Sequence, residues 1–427
     1  MSGTIAIIFG MVVLAAAVFF LIRQVETRLV LLAAGFTMAV AALAPLNAFD
    51  AFSKSMISGV LIQNICSTLG FAMILQITEC DKHLIYGLTR GLSRVRFIII
   101  PGAALATFCI NIALPSAAGC AASVGVIFIP LLISQGISPA VAASAVMLGT
   151  FGSMLSPGLM HNPIIAKLAG MEVMEAIKGH AAATVASIIV GAISLAVVAY
   201  LRKEDRNFTN GDQENCAGRD FRVNPLLAAL PLIPIAVLIV FSLSSVRASV
   251  SWAASIKVPH AMLLGAFLCL LFTRTNPQTA VKKFFEGMGK GYGDVLGIII
   301  ATGVFVSGMQ ALGMIEAFIS LLKNSQGIAK LAATYGPFLL GVVSGSGDSA
   351  AIAFNESVTP HAQNFGMTIS NMGSMAALAG ALGRTMSPLA GAAIICAGIA
   401  KVSPFELSRR LAPGMIIASM VSLFILM

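Results

Sequence analysis

Two full charges interrupt stretches that are otherwise small and apolar: Asp348 in V-V-S-G-S-G-D-S-A-A-I-A-F and Arg384 in G-R-T-M-S-P-L-A-G-A. A charge at membrane depth is rare and marks a substrate or ion pathway when it faces a polar cavity. Irregular backbone is tolerated there only where protein or a water-filled cavity surrounds it. The Gly, Ser and Pro beside each charge provide such irregular backbone. Two neutral stretches of the same kind occur earlier, Leu114-Pro-Ser-Ala-Ala-Gly119 and Ser153-Met-Leu-Ser-Pro-Gly-Leu-Met-His-Asn-Pro163. A helix that restarts after such a break presents free N–H groups and about half a positive charge, which suits a carboxylate. Arg384 adds a planar fork of donors matched to a carboxylate. Unwound carbonyls at the same breaks suit a coupling cation.

The expected ligand-holding set is Ser116, Ala117 and Gly119; Ser156 and Pro157; Ser346, Gly347, Asp348 and Ser349; and Arg384, Thr385, Ser387 and Pro388. Asp348, Asn355, His161 and Asn162 are the candidates for coupling to a proton or sodium ion. Two simpler roles compete. Arg384 could serve only to neutralise Asp348, and His161 could bond a backbone carbonyl. No other cofactor is expected, and neither is a metal or a disulfide: the seven Cys show no ligand spacing. HExxH, Walker and GxSxG patterns are absent, so no enzyme is expected.

The elements that must position these residues are membrane helices. The 427 residues are 58% hydrophobic and 10% charged, a balance that no soluble domain of this length has. The net charge of +9 follows from basic cytoplasmic loops and calls for no nucleic acid. The first apolar run, Thr4–Ile22, lacks a basic region before it and a cleavage site, and is expected to stay as a spanning helix. Phe97–Leu132 and Leu331–Pro360 are broken into halves too short to cross about 30 Å of hydrocarbon comfortably, so each reads as a re-entrant hairpin. Pro139–Gly170 and Met367–Ala400 read as broken helices.

The breaks repeat. Ser116 and Ser346, Pro130 and Pro360, Gly136 and Gly366, and Ser144 and Ser374 all share an offset of 230. Ser156-Pro157 and Ser387-Pro388 share an offset of 231, as do Glu175 and Glu406. Expected boundaries are scaffold helices at 1–50, a first repeat at 51–201 (hairpin about 97–132, broken helix about 139–170), a cytoplasmic loop with connecting helices at 202–290, and a second repeat at 291–427 (hairpin about 331–360, broken helix about 367–400). Eighteen of the 26 Lys and Arg fall in Arg23–Arg28, Lys82–Arg96, Arg202–Arg222, Arg274–Lys290 and Lys401–Arg410. With those loops inside, the two repeats are inverted, an arrangement of many secondary transporters. The fold class is therefore all-α, polytopic and inverted-repeat, with two re-entrant hairpins and two broken transmembrane helices.

Gly383-Arg-Thr-Met-Ser-Pro-Leu-Ala-Gly391 followed by Ala397-Gly-Ile-Ala-Lys-Val-Ser-Pro-Phe-Glu406 resembles the C-terminal signature of the DcuC family of anaerobic four-carbon dicarboxylate carriers. Gly345–Asp348 and Ser116–Gly119 resemble its two hairpin tips, and the similarity runs in order over nearly the whole chain. The resemblance implies membership of the ion transporter superfamily, a homodimer in a bacterial inner membrane, and an elevator-like transport domain. It implies substrates such as succinate, fumarate, malate or aspartate, moved by exchange or ion-coupled symport. Asp348 departs from the neutral amide usual at that tip. The single Arg of the expected set leaves a monocarboxylate, an amino acid or a peptide open as cargo, and an anion channel is the alternative from another class.

Overall fold

The computed structural model describes residues 3–427 apart from 24, 93–98, 206–220, 244–245, 247–248, 251, 253–254 and 318–325. The described residues are helical, joined by turns. Six stretches among them are long and apolar enough to cross a membrane: Gly59–Ile77, Ala117–Ser134, Val173–Leu201, Pro225–Ser242, Pro277–Ala311 and Pro404–Leu426. Large apolar side chains such as Val12, Ile193, Phe267 and Phe424 are exposed on the outer surface. Patches of this kind are rare on soluble proteins and match a lipid surround. The chain is a multi-pass membrane protein.

Each of the four interruptions read in the sequence separates two helices. Ile99–Ala113 and Ala117–Ser134 flank the first, and Gln326–Ser344 and Gly347–Ser357 the third. The arms are unequal: Ala117–Ser134 runs for 18 residues and Gly347–Ser357 for 11. Pro130 stays inside the longer arm. The broken helices are Pro139–Gly149 with His161–Ala169, and Ile369–Thr385 with Gly391–Ala400.

Helix starts recur at the spacing of the sequence pattern. Ala117 and Gly347, Pro139 and Ile369, and His161 and Gly391 begin helices at the same offset of 230 that relates Ser116 to Ser346. Val173 and Pro404 follow the offset of 231 that relates the two Ser-Pro pairs. The same spacing holds in backbone detail. Gly136 and Gly366 both take left-handed φ, 87° and 68°, a conformation that a side chain disfavours. Each is followed closely by a side-chain cap, Ser138 for one broken helix and Thr368 for the other. A Cβ on Gly152 would lie 2.1 Å from the carbonyl oxygen of Phe108, and one on Gly383 would lie 2.1 Å from that of Phe338. Each hairpin is thus pressed against its broken helix by the same glycine-on-carbonyl contact.

Two segments differ from the sequence reading. Pro45–Met56, read as no element, and Pro277–Lys290, read as a basic loop, are both helices that start on a proline, at nearly the offset of the repeats. Each is amphipathic and too short to span alone, so an apolar-run criterion passes over it. Residues 206–220 of the expected loop Arg202–Arg222 lie outside the described residues, as do residues 318–325.

The main core joins the first hairpin, both broken helices, Val173–Leu201 and Pro404–Leu426. A separate core holds Thr27–Ala41 against Gly297–Ala311 and reaches Phe365 and Met372. The breaks sit where these bodies meet Gly59–Ile77.

Candidate functional site

The four breaks converge on one cavity of about 480 Å³, within the size range of small-molecule sites. Its wall includes Pro115–Gly119 from the first hairpin and Ser153 with Gly158–Met160 from the first broken helix. Asp348 comes from the second hairpin, and Arg384 with Ala390–Ala392 from the second broken helix. Opposite stand Ile65, Leu69, Ala72, Met73 and Gln76 of Gly59–Ile77, with Gly287, Lys290, Asp294 and Val295.

Local sequence explains each break. In the first hairpin the buried Asn111 fixes the tip: its Nδ2 donates to the carbonyl of Leu114 at 2.8 Å, and its Oδ1 accepts from the backbone N–H of Ser153 at 2.7 Å. Ser116 caps the exit arm, its Oγ accepting from the Gly119 N–H at 3.1 Å. The second tip uses close approach instead. Gly345 takes φ of 72° against Leu389, and a Cβ on Gly347 would lie 2.0 Å from the Gly380 carbonyl oxygen. Ser387 Oγ donates to the Val342 carbonyl at 2.6 Å and ties the second broken helix to that tip.

Arg384 lies in the last turn of Ile369–Thr385, where the helix dipole favours a cation. It is 9% exposed. One Nη2–H donates to the Thr150 carbonyl at 3.1 Å, across to the first repeat, while Nε is buried with no partner among the described residues. A buried guanidinium donor without an acceptor is costly, and the same side chain lines the cavity. Asp348 does not meet Arg384 in an ion pair. Its Oδ1 lies 3.0 Å from Nε2 of His161, which is 1% exposed. His161 therefore bonds a carboxylate rather than a backbone carbonyl, and a proton on Nε2 donates to it. Asp348 also occupies the first turn of its helix, a favourable place for a negative charge.

Helix Gly391–Ala400 opens onto the cavity through Ala390, Gly391 and Ala392 and has no side-chain cap. Its first N–H groups have no intrahelical acceptor.

The remaining expected residues build the breaks without lining the cavity. Ser346 Oγ and Ser349 Oγ bond each other at 2.9 Å. Thr385 Oγ1 donates to its own helix at Ala381. Ser156 and Pro157 form the turn before Gly158, and Ser387 and Pro388 the turn before Ala390. Asn162 is buried and holds the break of the first broken helix closed, donating to the carbonyls of Met154 and Ser156 at 2.8 Å each while His180 Nε2 approaches its Oδ1 at 3.0 Å. Asn355 bonds Gly373 and Thr359 away from the cavity.

Residues that sequence reading assigned no site role complete the wall, Gln76, Lys290 and Asp294 above all. Gln76 carried a signal in the sequence: it stands 234 residues before Gln310, close to the offsets of 230 and 231 that pair the breaks. Lys290 and Asp294 sit in the glycine-spaced run Gly289-Lys-Gly-Tyr-Gly-Asp294, which forms a π-helical turn over Gly291–Leu296. Such turns recur at functional sites.

The model of a family described as C4-dicarboxylate anaerobic carrier matches residues 49–427. An uncharacterized transporter of Haemophilus influenzae is 42% identical over 280 residues, 64% of this chain and all of that protein. The anaerobic C4-dicarboxylate transporter DcuC of Escherichia coli K12 is 24% identical over 365 residues, 82% of this chain and 76% of its own length. Among solved structures, Neisseria gonorrhoeae MtrF, described with a class of antimetabolite efflux pumps, superposes with a TM-score of 0.59 at 12% identity. The match covers 89% of this chain and 82% of MtrF, a likeness of fold.

Proposed function

The chain belongs to the DcuC family of C4-dicarboxylate anaerobic carriers, and from that premise we propose that it is a secondary carrier of four-carbon dicarboxylates such as succinate, fumarate and malate. The observation that carries the proposal is the buried Arg384, with an unpartnered Nε, in a cavity built from all four helix breaks.

In this reading one substrate carboxylate sits between Arg384 and the uncapped N-terminus of Gly391–Ala400, with Ser116 and Ser153 nearby as hydroxyl donors. The two helix–break–helix pairs are re-entrant hairpins of inverted repeats. Together with the broken helices they form a transport domain that slides as an elevator past Gly59–Ile77 and Gly297–Ala311, in a homodimer of the bacterial inner membrane. Gln76 and Lys290 lie beside basic segments, which the positive-inside bias puts in the cytoplasm, so the cavity faces inward. Asp348 and His161 form the coupling site. A proton shared between the two cancels the negative charge that would otherwise repel a dianion.

The test is counterflow in proteoliposomes containing the full chain. Liposomes preloaded with unlabelled succinate should accumulate labelled succinate, fumarate and malate saturably, while butyrate and neutral amino acids exchange little. Counterflow of a monocarboxylate or amino acid without any dicarboxylate would overturn the substrate assignment. Dicarboxylate flux with no counterflow and no saturation would indicate a channel.

A further inference from the structure

The cavity wall carries four formal charges: Arg384 and Lys290, Asp348 and Asp294. Both acids have partners beyond the wall. Asp348 meets His161 at 3.0 Å, and Asp294 lies 3.8 Å from Nη1 of Arg28. The two cations are matched differently. Arg384 donates to a neutral carbonyl. Lys290 lies 3.3 Å from Glu286, but that carboxylate has a nearer cation in Lys283, at 2.7 Å. Two basic side chains thus reach the wall from different elements, Arg384 with no carboxylate within ion-pair distance and Lys290 sharing Glu286 with Lys283, and two such groups suit a dianion.

The backbone holds Lys290 at this wall. A Cβ on Gly287 would lie 2.4 Å from the Leu69 carbonyl oxygen, so helix Pro277–Lys290 approaches Gly59–Ile77 more closely than any side chain allows. One turn later Gly291 presses on the backbone of Cys66, and the π-helical turn begins. Lys290 falls between these two contacts. Its side chain is 54% exposed, free to swing toward a ligand without unmaking the fold.

We infer that Lys290 is the second cationic pole of the site, receiving the substrate carboxylate that Arg384 does not hold and so selecting dianions over monoanions. This rests on the reading of the cavity as a dicarboxylate site. It also answers how a wall with a single Arg can prefer two carboxylates. Lys290 belongs to helix Pro277–Lys290 and not to the four breaks, so in an elevator cycle it acts only while the site faces inward.

The experiment compares wild type, Lys290→Gln and Lys290→Arg in proteoliposomes, reading half-saturation for succinate and the inhibition constant of succinamate, its monoamide. Because Lys290 is half exposed, the expected effect is that of a screened pair: about a fivefold weakening for succinate in Lys290→Gln. Succinamate, which presents no charge to this pole, should shift less than about 1.5-fold, and Lys290→Arg should restore wild-type values. A general cation field would shift the monoanion by half as much on a logarithmic scale, roughly twofold. That result, or unchanged succinate affinity in Lys290→Gln, overturns the inference and leaves the carrier reading standing. Wild type that exchanges no dicarboxylate overturns both.

Discussion

The two repeats place matching positions on the cavity wall and fill them differently. Ala118 in the first hairpin corresponds to Asp348 in the second, and Ser153 in the first broken helix corresponds to Arg384 in the second. The first half is neutral and uses a side chain, Asn111, to satisfy its unwound backbone. The second has Gly341 where Asn111 stands, and closes its tip with glycine contacts and Ser387. Helices that start at matching offsets build the breaks, and the later pair of breaks supplies Asp348 and Arg384. In the proposed carrier, residues that repeat belong to the architecture, and residues that fail to repeat carry the chemistry.

The largest test of that division sets Arg384→Ala against Ser153→Ala. A hydrogen bond to a charged group contributes about 1.5–3 kcal/mol, so Arg384→Ala should lower succinate counterflow by roughly 10- to 150-fold. Ser153→Ala should lower it less than about threefold. Comparable losses at the two positions would break the comparison.

Next come the glycines that do repeat. Gly152→Ala and Gly383→Ala each push a methyl group into a backbone carbonyl and should each destabilise the protein by about 1–3 kcal/mol, visible as matched drops in thermal midpoint in detergent. A drop confined to one of them would show that the halves are not packed alike.

Asp348 sharpens the contrast further. Asp348→Asn and His161→Gln should leave insertion and folding intact and change the pH or sodium dependence of transport in the same direction. Ala118→Asn, at the corresponding position of the first repeat, should leave that dependence unchanged. Unaltered ion profiles in both Asp348→Asn and His161→Gln would leave the pair a structural contact. The smallest expected effect is Asn111→Ala, which removes two buried hydrogen bonds and should cost about 1–2 kcal/mol of stability with the ion dependence untouched.

Much of the architecture was legible because the bilayer makes interruptions conspicuous. Gly, Ser and Pro inside apolar runs located all four breaks, and offsets of 230 and 231 paired them. What escaped had physical reasons. Pro45–Met56 and Pro277–Lys290 are short and polar on one face, so neither looks like a span. Lys290 read as a loop charge and Asp294 drew no reading, because their place at the cavity depends on Gly287 and Gly291 meeting Gly59–Ile77, a contact between segments from opposite halves of the chain. The partner of Asp348 was hidden for the same reason: His161 lies 187 residues away in the other repeat. Sequence left Arg384 as either the neutraliser of Asp348 or a ligand residue, and the His161 contact favours the second.

The central claim is that Arg384 grips a substrate carboxylate through its fork rather than serving as a counter-charge. Succinate counterflow by Arg384→Lys and by the double change Arg384→Ala with Asp348→Ala tests it most directly. Lysine keeps the charge but loses the paired donors, so flux should fall at least about tenfold while the protein inserts and purifies normally, and the double change should recover nothing. Near wild-type counterflow by the lysine variant, or recovery in the double change, would contradict the account.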